Sequence, residues 1–284
     1  MMDRLYGAIL ITISAASFGA MPIFARLAYA AGTDPISVLF LRFSMGALFM
    51  VLLLFFRGIP LPRGRHLVVL FLMGGIGYVG QSFCYFTALT MVSAGLVALL
   101  LYLYPTFVTI LTAIFFKTPI GRLKILALCL SLAGTFLIVG VDGGGKLLGI
   151  LLGMAAPVIY SVYIVVGSRV IPKAGALASS TVVMIAAAAV FGGIVAVRGL
   201  ALPVTPLGWL SVGAIALICT VLAIVSFFAG LNRIEPGNAS IISTFEPVVT
   251  VCLAAWVLGE MITAIKIVGG LMILMAVVLQ TRKV

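Results

Sequence analysis

One stretch of the chain places polar and aromatic side chains on a single helix face. Tyr78, Gln81, Ser82 and Tyr85 follow one another at positions i, i+3, i+4 and i+7. Away from water the polar atoms of Tyr and Gln need hydrogen-bond partners, so we expect this face to point toward other helices. A cavity with such walls would bind an amphipathic solute. Hydrogen bonding between helices, or anchoring of tyrosines at a membrane interface, are the alternatives.

Other apolar stretches carry residues of the same types, and together they form a candidate set of substrate-binding side chains. The set consists of Phe18, Tyr78, Gln81, Ser82, Tyr85, Tyr102, Tyr160, Tyr163, Phe227, Ser243 and Glu246. We predict that these side chains line one central cavity.

Glu246 is the most costly member of the set, because it is a charge within an apolar stretch. Insertion scales assign about 2.5–3.5 kcal/mol to a charged residue at the membrane centre. Glu246 could take up a proton, meet a substrate amine, pair with an arginine or serve a structural role before Pro247. Arg26 could meet a carboxylate or reach the membrane surface, and Arg42 is a candidate structural anchor.

Prolines also interrupt the apolar stretches. We predict that they kink their helices and serve as hinges, or that the kinks serve packing alone. The candidate hinge residues are Pro22, Pro105, Pro157 and Pro247.

The composition indicates an integral membrane protein. Of 284 residues 64% are hydrophobic and 8% are charged, with a mean hydropathy of +1.38. A soluble domain carries about 25% charged residues, so lipid must be the main solvent. The net charge of +11 is typical of Lys and Arg in cytoplasmic loops, and we expect no nucleic-acid partner.

The residue types argue against an enzyme and against any cofactor or metal. The chain has one histidine, His66, and four cysteines within apolar stretches, without metal-ligand spacing. Gly75–Gly80 fits G-x-G-x-x-G but follows no strand, and residues 140–146 resemble a P-loop without its Ser or Thr. We therefore expect transport to be driven by gradients and not by ATP.

Hydropathy predicts an all-α integral membrane fold with ten transmembrane helices. They cover residues 5–30, 35–56, 66–89, 93–116, 121–141, 147–170, 175–197, 206–231, 237–258 and 263–281. With a cytoplasmic N-terminus, twelve Lys and Arg residues fall inside and three outside, which predicts that both termini are cytoplasmic.

The two halves of the chain resemble each other at an offset of 142 residues. Pro105 falls on Pro247, and Lys124 falls on Lys266. Five helices per half would invert the second half, so we predict two inverted five-helix repeats, 1–142 and 143–284, around a central cavity.

Motifs in the second half resemble those of a known transporter family. Glu246-Pro247, Leu258-Gly259-Glu260 and Ile267-Val268-Gly269-Gly270 are similar to the pattern of EamA-type exporters in the drug/metabolite transporter superfamily, as is Phe40-Leu41-Arg42-Phe43. The first repeat departs from this pattern, since Tyr104 and Lys117-Thr118 replace its acidic positions. Within the family, the chain is most similar to amino-acid exporters of the YddG type.

The resemblance implies a secondary transporter that exports amino acids from the cytoplasm across a bacterial inner membrane by alternating access. The aromatic stripes favour aromatic or large apolar amino acids and related metabolites. Efflux of cationic drugs or of another small metabolite is the alternative. The expected partners are the small-molecule substrate and the lipid bilayer, and a monomer is favoured over an oligomer.

Overall fold

The first half of the chain folds into helices interrupted at defined points. The computed structural model describes residues 2–89, 91–92, 97, 100–139, 146–259 and 262–283. The elements of the first half are α1 (Met2–Gly19), α2 (Met21–Ala30), α3 (Pro35–Arg57), α4 (Arg65–Leu72), the π-helical segment π1 (Met73–Tyr78), α5 (Val79–Leu89), α6 (Tyr104–Phe116) and α7 (Arg122–Val139).

The second half has the same kinds of element. They are α8 (Leu147–Ala174), α9 (Ala176–Arg198), α10 (Pro206–Ala216), the π-helical segment π2 (Leu217–Leu222), α11 (Ala223–Leu231), α12 (Pro236–Ser243), α13 (Glu246–Leu258) and α14 (Ala264–Lys283). No strand occurs in the described ranges, so the all-α prediction is confirmed there.

Seven helical runs among the described residues are long and apolar enough to cross a membrane. They are Asp3–Ala30, Pro35–Arg57, Arg65–Tyr85, Leu147–Ala174, Ala176–Arg198, Pro206–Leu231 and Pro236–Leu258. The apolar helices Tyr104–Phe116 and Ala264–Leu279 are shorter. The count of ten spans and the cytoplasmic position of the termini stay predictions.

Capping residues explain where α3 begins and ends. The N–H groups of Ile36 and Ser37 donate to Asp34 Oδ1 over 2.9 and 3.2 Å, and Pro35 occupies the first turn. Burial raises the pKa of Asp34, but the hydrogen bonds from Ser37 and Ile36 outweigh it, so the pKa is lowered overall. Gly58 ends the helix at φ 61°, a conformation that favours glycine.

Three of the four candidate hinge prolines follow breaks between helices. Pro22, Pro105 and Pro247 lie in the first turn of α2, α6 and α13. Proline is tolerated in a first turn because its missing N–H would have no helical partner. Only Pro157 lies inside an uninterrupted helix, α8. The helical runs are interrupted just before these three prolines, and the role of the four prolines as hinges stays a prediction.

The main helix contacts join one half of the chain to the other. α7 packs along α14, α3 along α9, and α1 along α11. Where α7 meets α14, a Cβ on Gly134 would lie 2.5 Å from Gly269 O, and a Cβ on Gly269 would lie 2.6 Å from Gly134 O. The two backbones touch at this point, as small residues permit in membrane helices.

The G-x-G-x-x-G sequence lies within π1 and α5 and contributes to the same kind of packing. A Cβ on Gly77 would lie 3.3 Å from Tyr163 Cδ2, and one on neighbouring Gly74 would overlap the backbone of Val183. The helical context favours close helix packing through small residues and not a dinucleotide site.

We expect Gly134→Ala to lower the free energy of unfolding by about 1–3 kcal/mol, because the new methyl group separates α7 from α14. Gly193→Ala is the matched control, since no atom lies within 4 Å of a Cβ there. Thermal unfolding of the purified protein in detergent measures both. Equal melting temperatures for the two variants would contradict the close approach.

Candidate functional site

A cavity of about 640 Å³ lies between the two halves of the chain. Residues of α1, α2, α3, α5, α6, α8 and α13 contribute to its wall. Its volume lies within the range of about 300–1,000 Å³ that small-molecule sites occupy.

The structure brings most of the predicted site residues together on this wall. Those that line the cavity are Phe18, Tyr78, Gln81, Ser82, Tyr85, Tyr102, Tyr160 and Glu246. Two of the candidate hinge residues, Pro22 and Pro247, also line it.

Three predicted binding residues do not reach the cavity. Tyr163 is 4% exposed and packs behind the wall, with its ring 5.9 Å from those of Tyr78 and Tyr160. Phe227 is buried beside Phe228. The Ser243 hydroxyl donates to Ala239 O over 3.0 Å within α12. These three side chains support the wall from behind. The candidate hinge residues Pro105 and Pro157 also do not line the cavity.

The acidic part of the cavity is formed where α13 begins. Glu246 is the first residue of that helix, is partly exposed on the cavity wall, and its carboxyl group is hydrogen-bonded by the Tyr102 hydroxyl. Among the described residues, neither of the two ion pairs includes Glu246. The position favours a carboxylate, because backbone N–H groups at a helix start carry partial positive charge.

Contacts with the end of α1 fix Glu246 in place. The Thr250 hydroxyl donates to Gly19 O over 2.8 Å and to Glu246 O over 3.1 Å. A Cβ on Gly19 would lie 2.7 Å from Glu246 O, so only glycine allows this approach. The backbone of the acidic residue is therefore held by the first half of the chain.

The basic part of the cavity is Arg42 of α3, which is 3% exposed. Its Nε donates to Thr220 Oγ1 over 2.9 Å, and its Nη2 donates to the Tyr78 hydroxyl over 3.1 Å. Its Nη1 lies 2.9 Å from Met21 Sδ, and the Phe43 ring centroid lies 4.6 Å from Cζ. The guanidinium is therefore held by neutral groups of both halves of the chain.

An aromatic cluster connects these two parts. Ring centroids lie 5.2 Å apart for Phe43 and Tyr78, and 5.0 Å apart for Tyr104 and Tyr160. Tyr163 joins the two pairs through its contacts with Tyr78 and Tyr160. Rings at these distances and angles stabilise one another and provide faces for an apolar or aromatic ligand.

Ion pairs hold the two halves together at the other end of the bundle. Lys124 Nζ lies 2.6 Å from Glu235 Oε1, and Arg233 Nε lies 3.2 Å from Asp3 Oδ1. Both ion pairs involve the short segment between α11 and α12. Asp3 lies in the first turn of α1, and Phe18 is the first residue of this helix on the cavity wall. The ion pair at Asp3 is therefore about 20 Å from the cavity along the helix.

Several wall residues carried no polar signal in the sequence. They are Ala25, Val38, Leu39, Leu101, Ile138, Ile215 and Val251. Tyr29 and Tyr104 also line the cavity outside the candidate set. Tyr104 could have been found, because it aligns with Glu246 at the 142-residue offset.

Comparison with known proteins shows which family shares this sequence. The family model for EamA-like transporters matches the chain twice, over residues 5–140 and 147–282. The chain belongs to the EamA-like transporter family. It is 27% identical to the uncharacterized transporter YcbK of Bacillus subtilis, over 93% of this chain and 88% of that protein.

A second relative has a similar sequence, and a solved structure shares the fold. This EamA-like transporter is 28% identical to the uncharacterized inner membrane transporter YedA of Escherichia coli K12, over 87% of this chain and 81% of that protein. A crystal structure with 19% identity has the same fold, with a TM-score of 0.85 over 96% of this chain and 95% of its own. The predicted multi-pass membrane transporter is confirmed, while substrate and direction stay predictions.

A double-mutant cycle tests the ion pair between Lys124 and Glu235. We expect Lys124→Gln and Glu235→Gln to be coupled by about 1 kcal/mol in the free energy of unfolding, because both side chains are largely shielded from water. The Arg233–Asp3 pair is the control, since the Asp3 side chain is 78% exposed and its coupling should stay under about 0.5 kcal/mol. Equal coupling energies in the two cycles would contradict the stronger interaction expected for Lys124 and Glu235.

Proposed function

We propose that this protein exports amino acids from the cytoplasm, with aromatic or large apolar side chains favoured, by alternating access. The observation that carries the proposal is the cavity between the halves, in which aromatic rings surround one acidic side chain, Glu246, and two basic ones, Arg26 and Arg42. A large apolar amino acid has matching features, namely an apolar body and two polar groups at one end.

Two inverted five-helix repeats, 1–142 and 143–284, form the proposed framework for this mechanism. The bounds of the elements support it, since α6 begins at Tyr104 and α13 at Glu246, which is 142 residues later. The helices α7 and α14 begin at Arg122 and Ala264 with the same offset. The two matches to the family model, one per half, also support it. Ten spans would follow from five per repeat.

The proposed orientation has both termini in the cytoplasm of a bacterium, with the protein in its inner membrane. The excess of Lys and Arg on one side supports it. In this orientation the ion pairs Lys124–Glu235 and Arg233–Asp3 close the cytoplasmic end. The cavity would then face the outside, as expected for a state that releases substrate.

Efflux of lipophilic cations is the second candidate function, because Glu246 has no ion-pair partner among the described residues. An acidic cavity residue beside aromatic rings would favour such a cation through charge and cation–π contacts. Arg42 on the same wall weakens this candidate, since it repels a ligand that carries only positive charge.

Flux from proteoliposomes tests the amino-acid proposal. Vesicles loaded with L-phenylalanine, L-methionine or L-threonine should release all three faster than protein-free vesicles, and phenylalanine fastest. Passage of none of them above protein-free vesicles would contradict the proposal. Transport of tetraphenylphosphonium without amino-acid transport would favour the cation candidate. A comparison with and without a proton gradient shows whether protons are coupled.

The aromatic preference is tested by two substitutions of Tyr160. Tyr160→Ala should lower phenylalanine flux about tenfold more than threonine flux, because a ring contact contributes about 0.5–1.5 kcal/mol beyond the area it buries. Tyr160→Phe is the matched control, since it keeps the ring and should keep the preference. An equal loss for both substrates in Tyr160→Ala would contradict the role of the ring.

A further inference from the structure

We propose that Arg42 binds the carboxylate of a zwitterionic substrate while Glu246 binds its ammonium group. This inference rests on the proposed function and assigns the two ends of the substrate to named residues. Both side chains line the same cavity, and each is presented by a different half of the chain.

Arg42 has the properties of an anion site. It is almost fully buried, and no carboxylate forms an ion pair with it among the residues that the structure describes. A guanidinium has five N–H donors, and three are occupied by Thr220, Tyr78 and Met21. One N–H on each terminal nitrogen is therefore left for a carboxylate, which is the group that Arg binds best.

The weakest of the three bonds to Arg42 is the one to Met21. Met21 lines the cavity, and its thioether sulfur is a poor hydrogen-bond acceptor. A substrate carboxylate that entered here would replace a neutral sulfur with a charged oxygen. The bonds to Thr220 and Tyr78 would keep the guanidinium in position during this exchange.

Glu246 has the complementary properties. It is partly exposed on the cavity wall, and its described side-chain partner is the neutral hydroxyl of Tyr102. A carboxylate of this kind can accept further hydrogen bonds from an ammonium group. Tyr102, Tyr104 and Tyr160 line the same cavity as Glu246, so an ammonium group bound there would be near aromatic rings.

Charge balance explains why a zwitterion is favoured over a cation or an anion. The cavity wall holds the acid Glu246 and the bases Arg26 and Arg42. Of these, Glu246 and Arg42 form no ion pair among the described residues, which leaves two charges with poor solvation. A zwitterion pairs both of them, whereas a simple cation pairs only Glu246 and a simple anion only Arg42. Selectivity then follows from the charge that a singly charged ligand leaves without a partner.

Three ligands that share a phenyl ring separate the two roles. They are L-phenylalanine, phenethylamine, which lacks the carboxylate, and 3-phenylpropionate, which lacks the ammonium group. Titration calorimetry on the full chain in nanodiscs should show L-phenylalanine binding about tenfold or more tightly than either analogue, because each analogue loses one hydrogen-bonded charge.

Substitutions should then affect the ligands selectively. Arg42→Gln should weaken L-phenylalanine and 3-phenylpropionate about 10- to 100-fold. It should leave phenethylamine binding unchanged or make it tighter, because the repulsion between Arg42 and the ammonium group is removed. Glu246→Gln should weaken L-phenylalanine and phenethylamine by a similar factor and leave 3-phenylpropionate within about threefold. Thr220→Val removes a bond to Arg42 but keeps the charge, so it should preserve the order of the three ligands.

If Arg42→Gln does not fold, a variant that preserves the charge can replace it in the test. Arg42→Lys retains the cation but lacks the planar fork, so L-phenylalanine should weaken relative to phenethylamine by a smaller factor. Equal effects of the Arg42 variants on L-phenylalanine and phenethylamine would overturn the assignment. If vesicles with the wild-type protein still release amino acids in that case, the proposed function is supported and only the roles assigned to Arg42 and Glu246 are wrong.

Discussion

A helix that crosses lipid cannot leave its backbone N–H and C=O groups without partners, and this constraint organises the molecule around its cavity. The breaks in the described helices lie at Ala20 between α1 and α2, before α6, and between α12 and α13. Each break adjoins residues of the cavity wall, among them Met21, Tyr104 and Glu246. At these three breaks in the described helices, irregular backbone lies where protein groups or a cavity can satisfy it.

Backbone carbonyl groups next to these breaks accept hydrogen bonds from side chains of other helices. Gly19 O at the end of α1 accepts from Thr250 of α13, and Tyr104 O at the start of α6 accepts from Ser161 of α8 over 3.2 Å. The Tyr104 hydroxyl in turn donates to Ser240 O in α12 over 3.3 Å. Each of these bonds joins the first half of the chain to the second, so the breaks also fix how the halves meet around the cavity.

Hydropathy and spacing in the sequence predicted the bounds of some described helices closely and identified one face of the site. The bounds of α3 and α9 lie within one residue of those predicted, and Tyr78, Gln81, Ser82 and Tyr85 all reach the cavity. Periodicity identifies a face but not its depth, which is why Tyr163 was predicted beside Tyr160 yet lies behind the wall.

The wall residues that escaped prediction are of two kinds. Val38 and Leu39 are apolar residues in an apolar helix, so nothing in their type distinguishes a cavity wall from lipid or packing contacts. Arg42 was predicted only as an anchor, because its partners Thr220 and Tyr78 come from distant parts of the chain. The π-helical segments also gave no sequence signal, and each changes the direction of the side chains that follow it.

Residues that correspond at the 142-residue offset differ in charge between the two halves. Under the proposed mechanism, this difference determines at which end of the molecule closure of the cavity is more stable. Glu246 corresponds to Tyr104, so the cavity has one acid and not two. Arg233 and Glu235 form the ion pairs at one end, but the residues 142 positions earlier are Met91 and Ser93, which carry no charge. Closure of the ion-paired end is therefore stabilised by electrostatic attraction, whereas Met91 and Ser93 cannot form the corresponding ion pairs at the other end. A substrate that binds Arg42 and Glu246 together would draw the two halves toward each other at the cavity, which is the kind of contact that could offset the loss of those ion pairs.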